Sequence, residues 1–183
     1  MACREILLYP NPILKRVCAP VERFDDSVAK LARDLRDTLL SGPGVGIAAP
    51  QIGIPLRAVL VDARRSAKHS GQGEFLLLNP RVVAISGTQF FREGCLSVPQ
   101  YTADIRRAQA ITVEGLDERG EILRLDAEGY EAVVFQHEID HLDGLLFIDR
   151  VGNVKRDLHR RKPRPVEPTE EARPARAAAG GSE

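Results

Sequence analysis

Two histidines four residues apart, with a glutamate beside the first, stand at His137-Glu138-Ile139-Asp140-His141. On a helix of 3.6 residues per turn, residues i and i+4 lie one above the other, so both imidazoles can reach one metal ion. Glu138 sits about 100° round the helix from His137, and its carboxylate flanks such an ion without having to bind it. The apolar stripe Tyr130, Val133, Val134 runs straight into His137 and His141, which puts the ion in the interior. The chain holds only four histidines. The other reading of the pair is two hydrogen-bonded core histidines.

A catalytic ion of this type needs a third protein ligand and a place for water. Downstream positions do not supply it. The extended pattern HExxHxxGxxH has its glycine at Gly144 but puts Phe147 where a histidine would bind. A glutamate at the later spacing used by other metalloproteases would fall at Arg161, and the next glutamate is Glu167. The ligand must then come from upstream, where Cys95 in Glu93-Gly94-Cys95-Leu96-Ser97 is the candidate. Its alternative is a small buried hydrophobe. Glu93 reads either as an acceptor that orients a bound histidine or as a surface carboxylate in a turn.

A third segment, Gly44-Val45-Gly46-Ile47-Ala48-Ala49-Pro50-Gln51, satisfies the dinucleotide fingerprint on paper. It follows a helix and Pro43 instead of a strand, so that reading fails. What is left is a tight stretch whose backbone can approach a ligand, ending in one amide side chain, or simply a structural turn.

The elements that must position these residues read as α+β. Val28, Leu31, Ala32, Leu35 and Leu39 recur with helical spacing behind Asp25 or Asp26 as cap, and Gly42-Pro43 stops the run. Short β-rich runs follow at Ala58–Val61, Phe75–Leu78, Val82–Ile85, Gln89–Phe91, Ile111–Glu114 and Ile122–Leu125. Turn residues such as Ser86-Gly87 and Asp117-Glu118-Arg119-Gly120 separate them. Runs at that spacing predict antiparallel sheet. A second helix is expected from Asp126 or Glu128 to Leu142, closed by Gly144. The predicted architecture is antiparallel sheets packed around a central HExxH-bearing helix, with an N-terminal helix and a disordered C-terminal tail.

Residues 1–150 form the expected single catalytic domain. Residues 151–183 carry eight basic and five acidic side chains, no aromatic residue and four prolines. This Pro/Ala-rich tail is expected to be helical at its start and disordered beyond about Lys162, having too little apolar surface to offset its ordering entropy.

Over all 183 residues, 26 Lys and Arg balance 26 Asp and Glu, which argues against a chain built to coat DNA or an anionic membrane. No apolar run approaches the ~20 residues of a membrane span. The start, Met1-Ala2-Cys3-Arg4-Glu5, has no export-signal pattern, and three cysteines in a chain of this length point to a reducing, cytoplasmic setting.

Taken together, GxGxAAxQ, EGCLS and HExxH in this order resemble peptide deformylase, and the likeness runs from the Tyr-Pro-Asn-Pro-Ile-Leu stretch near the start to about Asp149. After EGCLS, Val98-Pro99-Gln100-Tyr101 replaces the Arg-containing version of some members. The resemblance implies a hydrolase that removes the formyl group from N-formylmethionyl nascent peptides. It implies Cys95, His137 and His141 as ligands of one divalent ion, Fe²⁺ in the cell and Zn²⁺ or Ni²⁺ in preparations. It further implies Glu138 as general base, with the Leu96 N–H and the Gln51 amide as donors to the developing oxyanion. Val45, Phe91, Tyr130, Val133 and Val134 are the expected walls of the methionine slot, and the Gly46 carbonyl the partner of the substrate backbone. The basic segment after residue 152 is a candidate ribosome dock. Two rivals stand beside this reading: a zinc endopeptidase, and a non-catalytic metal module closed by a fourth ligand such as Cys18.

Overall fold

A computed structural model describes residues 3–161 of the chain. The first helix, α1 (Asp26–Leu40), begins at Asp25, whose carboxylate accepts the Ser27 N–H, and it buries Val28, Leu31, Ala32, Leu35 and Leu39. Then come β1 (Gly46–Ala48), β2 (Ala58–Asp62), β3 (Glu74–Ser86), β4 (Gln89–Cys95), β5 (Val98–Arg107), β6 (Ala110–Leu116) and β7 (Ile122–Glu128). The second helix is α2 (Gly129–Leu142), followed by one turn, α3 (Val154–Asp157), and a short strand, β8 (Leu158–Arg160).

The strands form two antiparallel sheets. The larger has the order β1-β2-β3-β6-β7 and the smaller β4-β5-β8. Side chains of a strand alternate between faces, and here both faces of the larger sheet are covered. Ala58, Leu60, Leu76 and Leu78 pack with the α1 stripe, while Val59, Val61 and Leu77 pack with Val134, Phe135 and Ile139 of α2. That explains why β2 is apolar at nearly every position instead of alternating. Leu14, Ile105, Leu146 and Phe147 make a third apolar cluster against the smaller sheet. Helix α2 therefore lies between sheets, and from Glu131 to Leu142 only Gln136 is not buried.

Several expected elements change. Phe75–Leu78 and Val82–Ile85 belong to one strand, β3, because Asn79 absorbs the irregularity at Asn79-Pro80. It adopts φ 52°, and its side chain both accepts from the Val21 N–H and donates to the Val21 carbonyl, each at 2.8 Å. Strand β7 runs on through Glu128, which pairs with Ala110 and caps α2, so of the two expected starts, Asp126 and Glu128, the second holds and the helix proper begins at Gly129. Gly46–Ala48 pairs with β2 and is strand, not a turn. Strand β5 was absent from the expected set. Beyond residue 150 the chain folds back as β8, pairing Leu158–Arg160 with Tyr101–Ala103. Residues 162–183, with the tail expected to be disordered, lie outside the described residues. Among the described residues, no helix is long and apolar enough to cross a membrane.

Candidate active site

Three elements meet at the site: the middle of α2, the end of β4 and the turn after β1. His137 and His141 lie on one face of α2 with ring centroids 5.1 Å apart. Between Gly94 and Cys95 the β4–β5 register shifts, so that Cys95 faces Val98. A bulge of this kind re-aims a side chain, and the Cys95 Sγ lies 3.3 Å from His141 Nε2. One ligand atom each from Cys95, His137 and His141 lies within 4.8 Å of the others, and this is the metal-competent cluster found among the described residues.

Glu93, two residues before Cys95, is buried and faces the other side of His137, with its carboxylate 2.7 Å from Nδ1. It is not a surface carboxylate. Fixing Nδ1 leaves His137 Nε2 for the cluster. Glu93 also takes both arms of the buried Arg107 guanidinium at 2.6 and 3.0 Å, and Arg107 reaches on to Asp140 at 2.6 Å. Arg150 closes the far end of this chain of charges on Asp140. Burial by itself would push the Glu93 carboxyl up, but the His137 and Arg107 bonds outweigh it and hold it at about 2. Burial would likewise raise the Cys95 thiol, yet the His141 and His137 rings pull it well below its ordinary 9.0, toward the thiolate a metal requires.

Glu138 behaves differently. It is buried beside the cluster, and its Oε2 has no hydrogen-bond partner among the described residues. Burial pushes it up to about 7. Gly46 makes this placement possible, since a Cβ there would stand 2.6 Å from Glu138 Oε1 and 2.9 Å from Val134 Cγ1. Gln51 follows in the turn after β1. Its amide oxygen accepts the Ala48 N–H at 2.8 Å, and its amide nitrogen points at Cys95 Sγ (3.4 Å) and Ser97 Oγ (3.2 Å).

A cavity of about 360 Å³ opens over the cluster. Val45, Gly46, Phe91, Tyr130, Val133 and Val134 all line it, as do Gln51, Cys95, Leu96, His137 and Glu138. His141 is sealed beneath, and its Nδ1 lacks a partner among the described residues. Tyr130 is stacked by His69 at 4.1 Å, and Phe91, 5.1 Å from Tyr130 and 5.5 Å from His69, completes the cluster of rings. Phe147, which stands where the extended protease motif has its third ligand, instead stacks on the His137 ring at 6.2 Å. Cys18 is packed in the core between α2 and the larger sheet and is not part of the metal-competent cluster, so it is no fourth ligand.

Against this geometry, a family profile described as polypeptide deformylase matches residues 3–157. The chain belongs to that family. The family's reaction is deformylation of N-formylmethionyl peptides by a metallohydrolase. The peptide deformylase of Syntrophobacter fumaroxidans is 41% identical over 162 residues, covering 88% of this chain and 94% of that one. The peptide deformylase of Rhizobium meliloti is 40% identical over 159 residues, covering 86% and 90%. Among solved structures, the crystal structure of a peptide deformylase from Legionella pneumophila superposes with a TM-score of 0.78 at 41% identity, covering 85% of this chain and 89% of that chain.

The donor set fits the single metal expected of a deformylase. A sulfur and two imidazole nitrogens suit a borderline divalent ion, the thiol is depressed, and the outer nitrogen of His137 has the carboxylate partner that bound imidazoles usually keep. Sequence reasoning did not find Arg107, Asp140 or Arg150. Arg107 stands at the buried parity of β5, after Ala103 and Ile105, a signal that could be read only with β5 recognised as a strand.

Proposed function

We propose that Cys95, His137 and His141 hold one divalent ion, and that the deformylation this family performs takes place there. The observation that carries the assignment is the convergence of one sulfur and two imidazoles within 4.8 Å, at the floor of a cavity and beside a carboxylate raised to about 7. When bound, the ion supplies a Lewis acid that makes water a nucleophile near neutral pH and polarises the formyl carbonyl. Glu138 takes the proton of the attacking water and delivers it to the leaving nitrogen, so that water adds across the formyl C–N bond and formate and a free amine leave. A general base works best with a pKa near the working pH, which burial gives this one. The Leu96 N–H and the Gln51 amide are the donors for the developing negative oxygen. Gly46 offers its carbonyl to the substrate backbone, and Val45, Phe91, Tyr130, Val133 and Val134 receive the methionine side chain. One methylene is worth only ~1–3 kcal/mol of discrimination, so the preference for methionine is marked without being absolute.

Fe²⁺ is the working ion in this reading, with Zn²⁺ or Ni²⁺ found in preparations, and the cytoplasm is the compartment. An iron-loaded thiolate site loses activity in air as Cys95 oxidises, whereas a nickel-loaded one persists. Ribosome docking through the basic segment after residue 152 belongs to the same reading. Its sign is association that weakens steeply with salt. The deciding experiment measures formate released from formyl-Met-Ala-Ser by metal-loaded protein and by Glu138→Ala. The variant should keep its metal and lose turnover. Cleavage of casein without formate release would favour an endopeptidase instead.

A further inference from the structure

Two arginines, Arg92 and Arg161, are among the residues that line the cavity. Arg92 is already committed, since its Nε and Nη2 grip the two oxygens of Asp104 at 3.0 and 3.1 Å. Arg161 differs. Its backbone N–H donates to the Gln100 carbonyl at 2.8 Å, which fastens it to the edge strand β5 just after β8. Its side chain has no hydrogen bond or ion pair among the described residues. It lies across Gly94, where a Cβ would overlap the guanidinium. A glycine next to Cys95 thus leaves room for a cation at the rim of the site.

Gly44–Gly46 and Phe91–Leu96 both line the cavity. An extended chain rises about 3.3 Å per residue, so a peptide whose formyl group sits at the Cys95 cluster passes Gly94 within about its first three residues. We propose that Arg161 is a specificity-determining residue that favours peptides carrying a carboxylate at the third position, whether a side chain or the chain end. This rests on the reading of the cavity as the formyl-peptide site. A guanidinium suits the task because its fixed fork of donors matches a carboxylate, and it keeps its charge at any working pH.

The test uses the full chain loaded with nickel and two substrate pairs. Formyl-Met-Ala-Glu-amide against formyl-Met-Ala-Gln-amide reads the side chain, and formyl-Met-Ala-Ala as free acid against its amide reads the chain end. The unaltered protein should favour the carboxylate member of at least one pair by about fivefold in kcat/KM, carried by KM, as an exposed ion pair allows. The pair that shows the effect identifies the source. Arg161→Gln should bring that ratio to about one, Arg161→Glu should invert it, and 1 M salt should erase it in the unaltered protein. Each ratio is internal to one variant, so partial loss of folded protein does not alter it. Ratios that stay the same in Arg161→Glu, or that equal one in the unaltered protein, overturn the inference while the site reading stands. No formate from any of the four peptides overturns both together.

Discussion

Glu93 and Glu138 are two buried carboxylates at the same pair of histidines, and their surroundings drive them apart. Glu93 has both oxygens occupied, by Arg107 on one side and by His137 with Arg107 on the other, and is held at about 2. Glu138 keeps an oxygen with no partner among the described residues and is pushed up to about 7. In the proposed function, carboxylates separated in this way divide the work between a fixed charge and a group that moves protons. The difference also explains the packing. The Glu93 side is a closed chain of charges through Arg107, Asp140 and Arg150, whereas the Glu138 side opens on a cavity.

The largest test of that division is the amide substitution made once on each side. Glu138→Gln should lower kcat by ~10²–10⁴ with the metal content of the protein unchanged. Loss of the metal in that variant would break the comparison, because Glu138 would then be a ligand. Next comes Gly46→Ala. Its Cβ would press on Glu138 Oε1 and on Val134 Cγ1, and misplacing a base by this much should reduce kcat/KM by about 10² while the metal stays bound. Glu93→Gln is smaller and falls elsewhere. It should weaken metal affinity ~10–100-fold, measured by competition with a chelator, and restore most turnover when metal is in excess. The gentlest test is acid. Because the folded Glu93 lies below its ordinary 4.5, its contribution to stability is fully present above 4.5 and drains away as pH falls toward 2. Denaturant midpoints of metal-free protein should fall through that window, and the Glu93→Gln variant should show a smaller fall.

Much of the site was legible because chemistry constrains residue type and spacing on one element. His137, Glu138 and His141 share a helix, and a helix fixes their relation without help from the rest of the fold. Cys95 was harder. Its direction depends on a register shift against β5, and register is set by pairing across the sheet. Arg107 reaches Glu93 from β5, and Arg161 reaches Gly94 from the end of β8. Both arrive through pairings of strands that local patterning does not announce, since β5 is partly polar and β8 has three residues. Asn79-Pro80 shows the converse. A proline reads as the end of a strand, yet the Asn79 side chain, bonded to both polar groups of Val21, carries β3 across it.

The most direct measurement titrates metal-free protein with Ni²⁺ and follows formate from formyl-Met-Ala-Ser. If one sulfur and two ring nitrogens make the working centre, turnover climbs from background to a plateau at one ion per chain, and Cys95→Ala never reaches it. Full turnover in the metal-free protein, or a plateau that Cys95→Ala matches, would contradict the assignment.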